Sequence, residues 1–185
     1  VFFQNVDDKD LFVDNELVNK KICRHSPGSG VDMEKFAYSP LSNTSEITFL
    51  LIARMLWDKG IGEFVEAAKT IKLKYPHAYF QLLGPLGVQN RTSITKTEVQ
   101  LWESEGIIEY LGETDDVTKF IQKACCVVLP SYREGTSRVL LEAAAMGRPI
   151  VATDVPGCRE VVEDSVTGFL CKPRDYADLS SKIEL

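Results

Sequence analysis

The chain has 185 residues, 44% hydrophobic and 26% charged, which is ordinary globular usage and excludes a disordered polymer. Its longest uncharged apolar runs, such as Phe49 to Ala53 and Ala124 to Leu129, fall far short of the roughly 18 residues a membrane span needs. A net charge of -6 argues against a nucleic-acid binder, whose affinity rests on a basic surface, so any phosphate must be met by a local group of cations.

In chain order, residues 1–45 read as linker and edge elements entering a domain at 46–185. Val1 to Val6 is a candidate strand, Asp7 to Asp10 a polar connection, and Pro27-Gly28-Ser29-Gly30 a turn. The chain opens at Val1 with neither an initiator Met nor a targeting signal, and an apolar stripe begun by Tyr176, Leu179 and Ile183 stops at Leu185. An excised piece of a longer protein is therefore expected.

From residue 46 onward apolar runs alternate with helix-like segments, the pattern of βαβ units on a parallel sheet. Glu46 to Ala53 reads as the first buried strand. Asp58 is a candidate N-cap for a helix whose stripe is Ile61, Phe64, Val65, Ala68, Ile71 and Tyr75, ended by Pro76. Ala78 to Leu83 is the next strand, and Thr95 with Glu98 has capping-box spacing at the start of another helix. Ile107 to Leu111 is a short strand and Asp115 to Lys123 a short helix. Cys125 to Leu129 is an uninterrupted apolar run, as a central parallel strand buried on both faces requires. A helix from Ser137 to Met146, a strand from Pro149 to Thr153, a short helix from Cys158 to Val162, a strand from Gly168 to Cys171 and a helix from Asp175 complete the chain. The fold class is α/β, a Rossmann-like doubly wound parallel sheet.

The five cysteines include the adjacent pair Cys125 and Cys126 and no CxxC, so neither a disulfide framework nor a zinc site is indicated, and a reducing cytosol is expected. His25 and His77 are isolated and read as surface or packing residues.

In a doubly wound sheet, ligands bind beyond the carboxyl ends of the strands where strand order reverses, here between the strands at 46–53 and 125–129. The loop after the first carries Arg54 and Lys59 just before a helix. A fork of guanidinium donors, a point charge and free helix N–H groups suit a diphosphate, although on this loop alone the two cations could equally be solvated surface charges. Neither GxxxxGK[ST] nor GxGxxG is present. The second loop runs through Glu134, Gly135, Thr136, Ser137 and Arg138 into a helix where Glu142 interrupts an apolar surface. Burying that carboxylate is costly without partners, and it can accept bonds from the hydroxyls of a ribose, as Glu134 can from those of a sugar. Gly135 permits close backbone approach and the N–H groups of Thr136 to Arg138 would face a diphosphate. Each Glu alone is also compatible with a helix-end or solvated carboxylate.

Taken together, Glu134 to Glu142 (EGTSRVLLE) resembles the E-x7-E motif of retaining glycosyltransferases of the GT-B architecture, two facing Rossmann-like domains, and specifically family 4 of the glycosyl transferases. The resemblance covers 46–185 through the Arg54…Lys59-Gly60 loop, Gly84, Tyr110-Leu111-Gly112, Leu129-Pro130-Ser131, Glu142 to Val151 and Val166 to Phe169, with Gly28-Ser29-Gly30-Val31-Asp32 leading in. Thr136-Ser137 stands where many members have Phe-Gly, and the longer segment from Arg133 to Glu160 resembles bacterial members that build surface or lipid-linked oligosaccharides.

The resemblance implies Arg54 and Lys59 on the donor diphosphate, Glu142 on the ribose, Glu134 on the donor sugar, and the backbone near Glu113 and Thr114 beside the nucleobase. Arg54, Lys59 and Glu134 would be the catalytic group, by electrostatic stabilisation of the leaving diphosphate, with Gly84 near the donor. It further implies a UDP-sugar donor, no metal or other cofactor, and a glycan or polyprenol-linked acceptor held by an N-terminal domain absent from this chain. The full-length protein would be cytoplasmic and peripheral on the inner face of the membrane. Two other classes share these residues: a sugar-nucleotide epimerase of the same architecture and a non-catalytic sugar-nucleotide sensor.

Overall fold

A computed structural model describes residues 1–26, 28–41 and 46–185. Two short strands, β1 (Phe2–Phe3) and β2 (Arg24–His25), pair in parallel with each other and not with the main sheet, with helix α1 (Val6–Asp14) between them in sequence. The helix replaces the polar connection expected at Asp7 to Asp10 and cuts short the strand expected to reach Val6. What favours it is local rather than periodic: Asn5 caps the Asp8 N–H, Asp7 and Asp8 favour the positive end of the helix dipole, and no residue of α1 is buried. Of the turn expected at Pro27 to Gly30, Pro27 lies outside the described residues, while Gly28 and Gly30 have the positive φ a turn uses.

The remaining elements are β3 (Ile47–Ile52), α2 (Ile61–Lys74), β4 (Ala78–Leu83), α3 (Lys96–Ser104), β5 (Glu109–Tyr110), α4 (Thr118–Lys123), β6 (Cys126–Leu129), α5 (Arg138–Ala145), β7 (Ile150–Thr153), α6 (Pro156–Arg159), β8 (Phe169–Cys171) and α7 (Tyr176–Ile183). The six strands form one parallel sheet in the order β5-β4-β3-β6-β7-β8. Order therefore reverses between β3 and β6, where Phe49 pairs with Cys126 and Leu50 with Val127. This is the doubly wound α/β class.

Alternation along the strands builds two cores. Phe49 and Leu51 of β3 and Val128 of β6 pack with Phe64 of α2, Trp102 of α3 and Leu179 of α7. Leu50, Ile52, Val127 and Ile150 face the other way, onto Ile121 of α4, Leu140 of α5 and Cys158 near the start of α6. With helices on both faces, the central strand β6 is buried and apolar throughout, which is why it reads as a continuous run. Burial pushes the thiols of Cys126, Cys158 and Cys171 up to about 12, so these cysteines are inert packing residues.

Several boundaries differ from expectation, among them the start of α4 at Thr118 rather than Asp115. Asp58 does not cap α2, because Trp57–Lys59 forms a 3-10 turn and Gly60 is the N-cap, while the Asp58 carboxylate accepts from the Thr92 hydroxyl at 2.9 Å. The helix expected at Cys158 to Val162 begins earlier, with Pro156 at its first turn, where a missing N–H costs nothing. The strand expected over Ile107 to Leu111 is confined to β5.

Residues 36–41 lie across one face through a buried polar anchor. Phe36 joins the second core, and Arg148, 3% exposed, donates to the carbonyls of Met146, Gln122, Ala124 and Ser39. It thereby serves as a polar staple between three separate stretches of chain.

Gly60 is the tightest constraint on where α2 begins. Its φ of 70° is left-handed, and a Cβ there would overlap the Pro130 carbonyl at the end of β6. Gly60→Ala is expected to lower the thermal midpoint by more than about 4 °C, the combined effect of a left-handed penalty and a clash on a domain of this size. Gly87 has φ of 76°, and a Cβ at that position would meet nothing within 4 Å. Gly87→Ala should therefore show the smaller, conformational part alone, and equal shifts for the two in thermal unfolding would refute the clash.

Candidate functional site

The loops leaving β3 and β6 are tied together where the sheet order reverses: the Tyr132 N–H donates to the Asp58 carbonyl at 2.9 Å. Between them lies a concavity of about 300 Å³ whose lining includes Arg54, Lys59, Glu134, Thr136, Ser137 and Arg138. Six of the residues singled out from sequence are thus brought together from segments some 75 positions apart.

The Lys59 ammonium donates to Glu134 Oε1 at 2.6 Å, with the two side chains 20% and 14% exposed. Partial burial makes this pair stronger than an exposed one, and it holds a cation and a carboxylate at the mouth of one cleft. Arg54 is exposed on the same lining. The start of α5 adds donors. Ser137 caps it by accepting from Leu140 N–H at 3.4 Å, which leaves the first-turn N–H groups of Arg138 and Val139, both lining residues, without an intrahelical partner.

Glu142 lies one turn further along α5 and is buried at 8% exposure. Its nearest cation is Arg138, 3.6 Å away and itself largely exposed. Loss of water around Glu142 holds its carboxyl above the usual carboxylate range, opposed by Arg138 and Lys35. The carboxylate borders a second, adjoining concavity of about 840 Å³ with Lys35, Asp115 and Val117, and Arg138 and Val139 belong to both.

Other expected residues fall elsewhere. Gly135 lies on the loop between the cleft and the N-terminal elements and lines a concavity with Gln4 and Asp8. Gly84 is buried at the end of β4, where its N–H donates to the Gly112 carbonyl at 2.8 Å and its carbonyl accepts from the Tyr110 hydroxyl at 2.9 Å. It borders neither cleft concavity. Glu113 and Thr114 are exposed, and the Thr114 hydroxyl is used in the turn to Asp116. The next residues, Asp115 and Val117, take the lining positions instead. Lys35 and Asp115 had no sequence signal as site residues, since each reaches the cleft from a segment without a motif. A different apolar concavity, lined by Ile47, Phe49, Ile71 and Tyr75, lies at the opposite ends of the strands and has no cation among the described residues that line it.

Residues 46–185 match the domain family described as glycosyl transferases group 1. A relative from Campylobacter jejuni, N,N'-diacetylbacillosaminyl-diphospho-undecaprenol alpha-1,3-N-acetylgalactosaminyltransferase, is 39% identical over 136 residues, 74% of this chain and 34% of its own length. The capsular polysaccharide biosynthesis glycosyltransferase CapM of Staphylococcus aureus is 27% identical over 165 residues, 84% of this chain and 43% of its own. The chain thus spans less than half the length of these relatives. Among solved structures, HepE of Anabaena in complex with UDP superposes with a TM-score of 0.84 at 21% identity, over 100% of this chain and 52% of that one. Sucrose-phosphate synthase of Thermosynechococcus elongatus gives 0.82 at 23% identity, over 100% of this chain and 48% of that one. These likenesses carry the GT-B type of fold seen in the sheet order. On the match of 46–185, the chain belongs to the glycosyl transferases group 1 family.

Proposed function

We propose that this chain is the donor-binding half of a retaining, family 4 glycosyltransferase that moves a sugar from a UDP-sugar to a glycan or polyprenol-linked acceptor. The observation that carries the reading is the pairing of Lys59 with Glu134 at 2.6 Å across the β3/β6 crevice, beside the N-terminus of α5. In this reading Arg54, Lys59 and the first-turn N–H groups of α5 take the diphosphate, Glu142 accepts from the ribose hydroxyls, and Glu134 turns from Lys59 to the sugar hydroxyls. The nucleobase lies toward Asp115, past the Glu113 and Thr114 backbone.

Chemically, the bond between the anomeric carbon and the diphosphate oxygen breaks as the acceptor oxygen forms its bond on the same face of the sugar. The electron pair leaves with the diphosphate, whose departing oxygen takes up the proton that the acceptor hydroxyl loses, and cations preorganised there lower the barrier more than mobile water would. No metal or other cofactor is invoked, since two cations and a helix terminus already oppose the leaving charge. The two carboxylates are ligands in this scheme, not a hydrolase acid and base. The acceptor is assigned to an N-terminal domain. Similarity to a relative named for a diphospho-undecaprenol substrate favours an acceptor at a membrane surface, with the protein peripheral on the cytoplasmic side. No helix among the described residues is long and apolar enough to cross a membrane.

Titration calorimetry with UDP tests the donor site. Lys59→Ala and Glu142→Ala should each weaken UDP at least about tenfold, the value of one charged hydrogen bond. Absence of heat with UDP, GDP and ADP would remove the assignment.

Glu142 also ties binding to stability. Its carboxyl is raised from an ordinary value near 4.5 by burial, so the folded state binds the proton more tightly than the unfolded one. The stability this confers is complete below the unfolded value and is lost as pH rises through the folded one. Glu142→Gln should therefore match wild type in thermal midpoint at pH 4 and exceed it at pH 7, while binding UDP more weakly. Parallel curves for the two proteins over that range would contradict a desolvated carboxylate.

A further inference from the structure

The corner between β1 and α1 closes on the donor loop through one buried side chain. Asn5 is 0% exposed. Its side-chain carbonyl accepts from the Asp8 N–H at 2.7 Å and caps α1. Capping needs only that oxygen, and the amide nitrogen is employed elsewhere: it donates to the Asp8 carboxylate at 3.0 Å and to the main-chain carbonyl of Gly135 at 3.1 Å.

Neighbouring contacts converge on the same loop. The Thr136 hydroxyl donates to the Gln4 carbonyl at 3.3 Å, and Arg133 forms an ion pair with Asp8. From the other side α6 presses on the loop at Gly157, where a Cβ would overlap the Gly135 carbonyl, and the Gly157 carbonyl accepts from Ser137 N–H at 3.4 Å. The Thr136 and Arg133 contacts are exposed and replaceable. The Asn5 bond differs in that its donor is a fully buried side chain and its acceptor is the Gly135 carbonyl itself.

A peptide unit is planar, so the Gly135 carbonyl and the Thr136 N–H are opposite ends of one rigid plate. Holding the carbonyl sets the direction of that N–H, and it also sets the backbone from which Glu134 reaches Lys59. We propose that Asn5 is a positioning residue for the donor: the hydrogen bond its side-chain amide donates to the Gly135 carbonyl fixes the peptide plane that presents Thr136 N–H and Glu134 to a nucleoside diphosphate sugar. The inference rests on the donor site proposed above, and it draws residues before position 46 into the work of the matched domain.

Asn5→Ser keeps a capping oxygen and removes the amide donor. Asn5→Thr likewise keeps a capping oxygen without the amide donor and adds no buried charge, so it serves as the second variant should the first fail to fold. In each, amide hydrogen exchange at Thr136, Ser137 and Arg138 is expected to accelerate about threefold to tenfold, the range of one amide hydrogen bond. UDP affinity should fall by a similar factor while the affinity for uridine, which the loop does not touch, and the thermal midpoint stay near wild type. Unchanged exchange in the loop overturns the proposal, as does an equal loss of UDP and uridine, which marks a merely structural role. If exchange accelerates but the unsubstituted protein binds no UDP, the clamp stands and the donor reading fails. Normal UDP binding by both variants, with loss in Lys59→Ala, leaves the donor reading intact and sinks the role of Asn5.

Discussion

Everything functional in this chain depends on the reversal of strand order between β3 and β6. On one side of that break the helix after the strand packs on one face of the sheet, as α2 does, and on the other side it packs on the opposite face, as α5 does. The two loops therefore diverge and leave a crevice that neither helix fills. At its base the fit is close: Gly60 abuts the Pro130 carbonyl, which fixes the distance between the start of α2 and the end of β6. Lys59 precedes that glycine and Glu134 follows that proline, so the spacing of the ion pair is inherited from backbone packing rather than from the side chains themselves.

Charge in the crevice is balanced locally. The chain as a whole carries -6, yet the cleft gathers Arg54, Lys59 and Arg138 with Glu134 and Glu142. A bare cluster of cations in a half-buried cleft would lose hydration without return, and pairing each carboxylate with a cation lowers that cost. In the proposed reading, an incoming diphosphate replaces Glu134 as the partner of Lys59 and releases the carboxylate for hydroxyl groups. Glu142 is the weak point of the arrangement, since its neighbour Arg138 is mostly exposed and desolvation prevails. Tension between folding and ligand recognition at such a residue is the usual mark of a site kept for binding.

Polar residues also attach the segments that are not part of the six-stranded sheet. Arg148 satisfies carbonyls from Gln122, Ala124 and Ser39, and Asn5 satisfies one from Gly135. Each is nearly or fully buried, and each joins stretches far apart in the chain. Apolar contact alone would allow those segments to slide, whereas a directional bond to a carbonyl sets one register.

The sequence by itself determined the class of fold, the six strands and the motif residues at their ends. Buried parallel strands need unbroken apolar runs and surface helices need a one-sided stripe, and both demands are local enough to be written in order along the chain. Capping was legible at Thr95, whose partner Glu98 is three residues on, and it misled at Asp58, where a glycine forced by Pro130 starts the helix instead. Helix α1 left no trace in the apolar pattern because it buries nothing, so no period marks it. Only the tertiary structure decided which residues meet in the cleft. It brought Lys35 and Asp115 to the lining, left Glu113 and Thr114 in solvent, and placed Asn5 against Gly135. Contacts of that kind join segments whose separation carries no period and no spacing rule, and their geometry exists only once the sheet has formed.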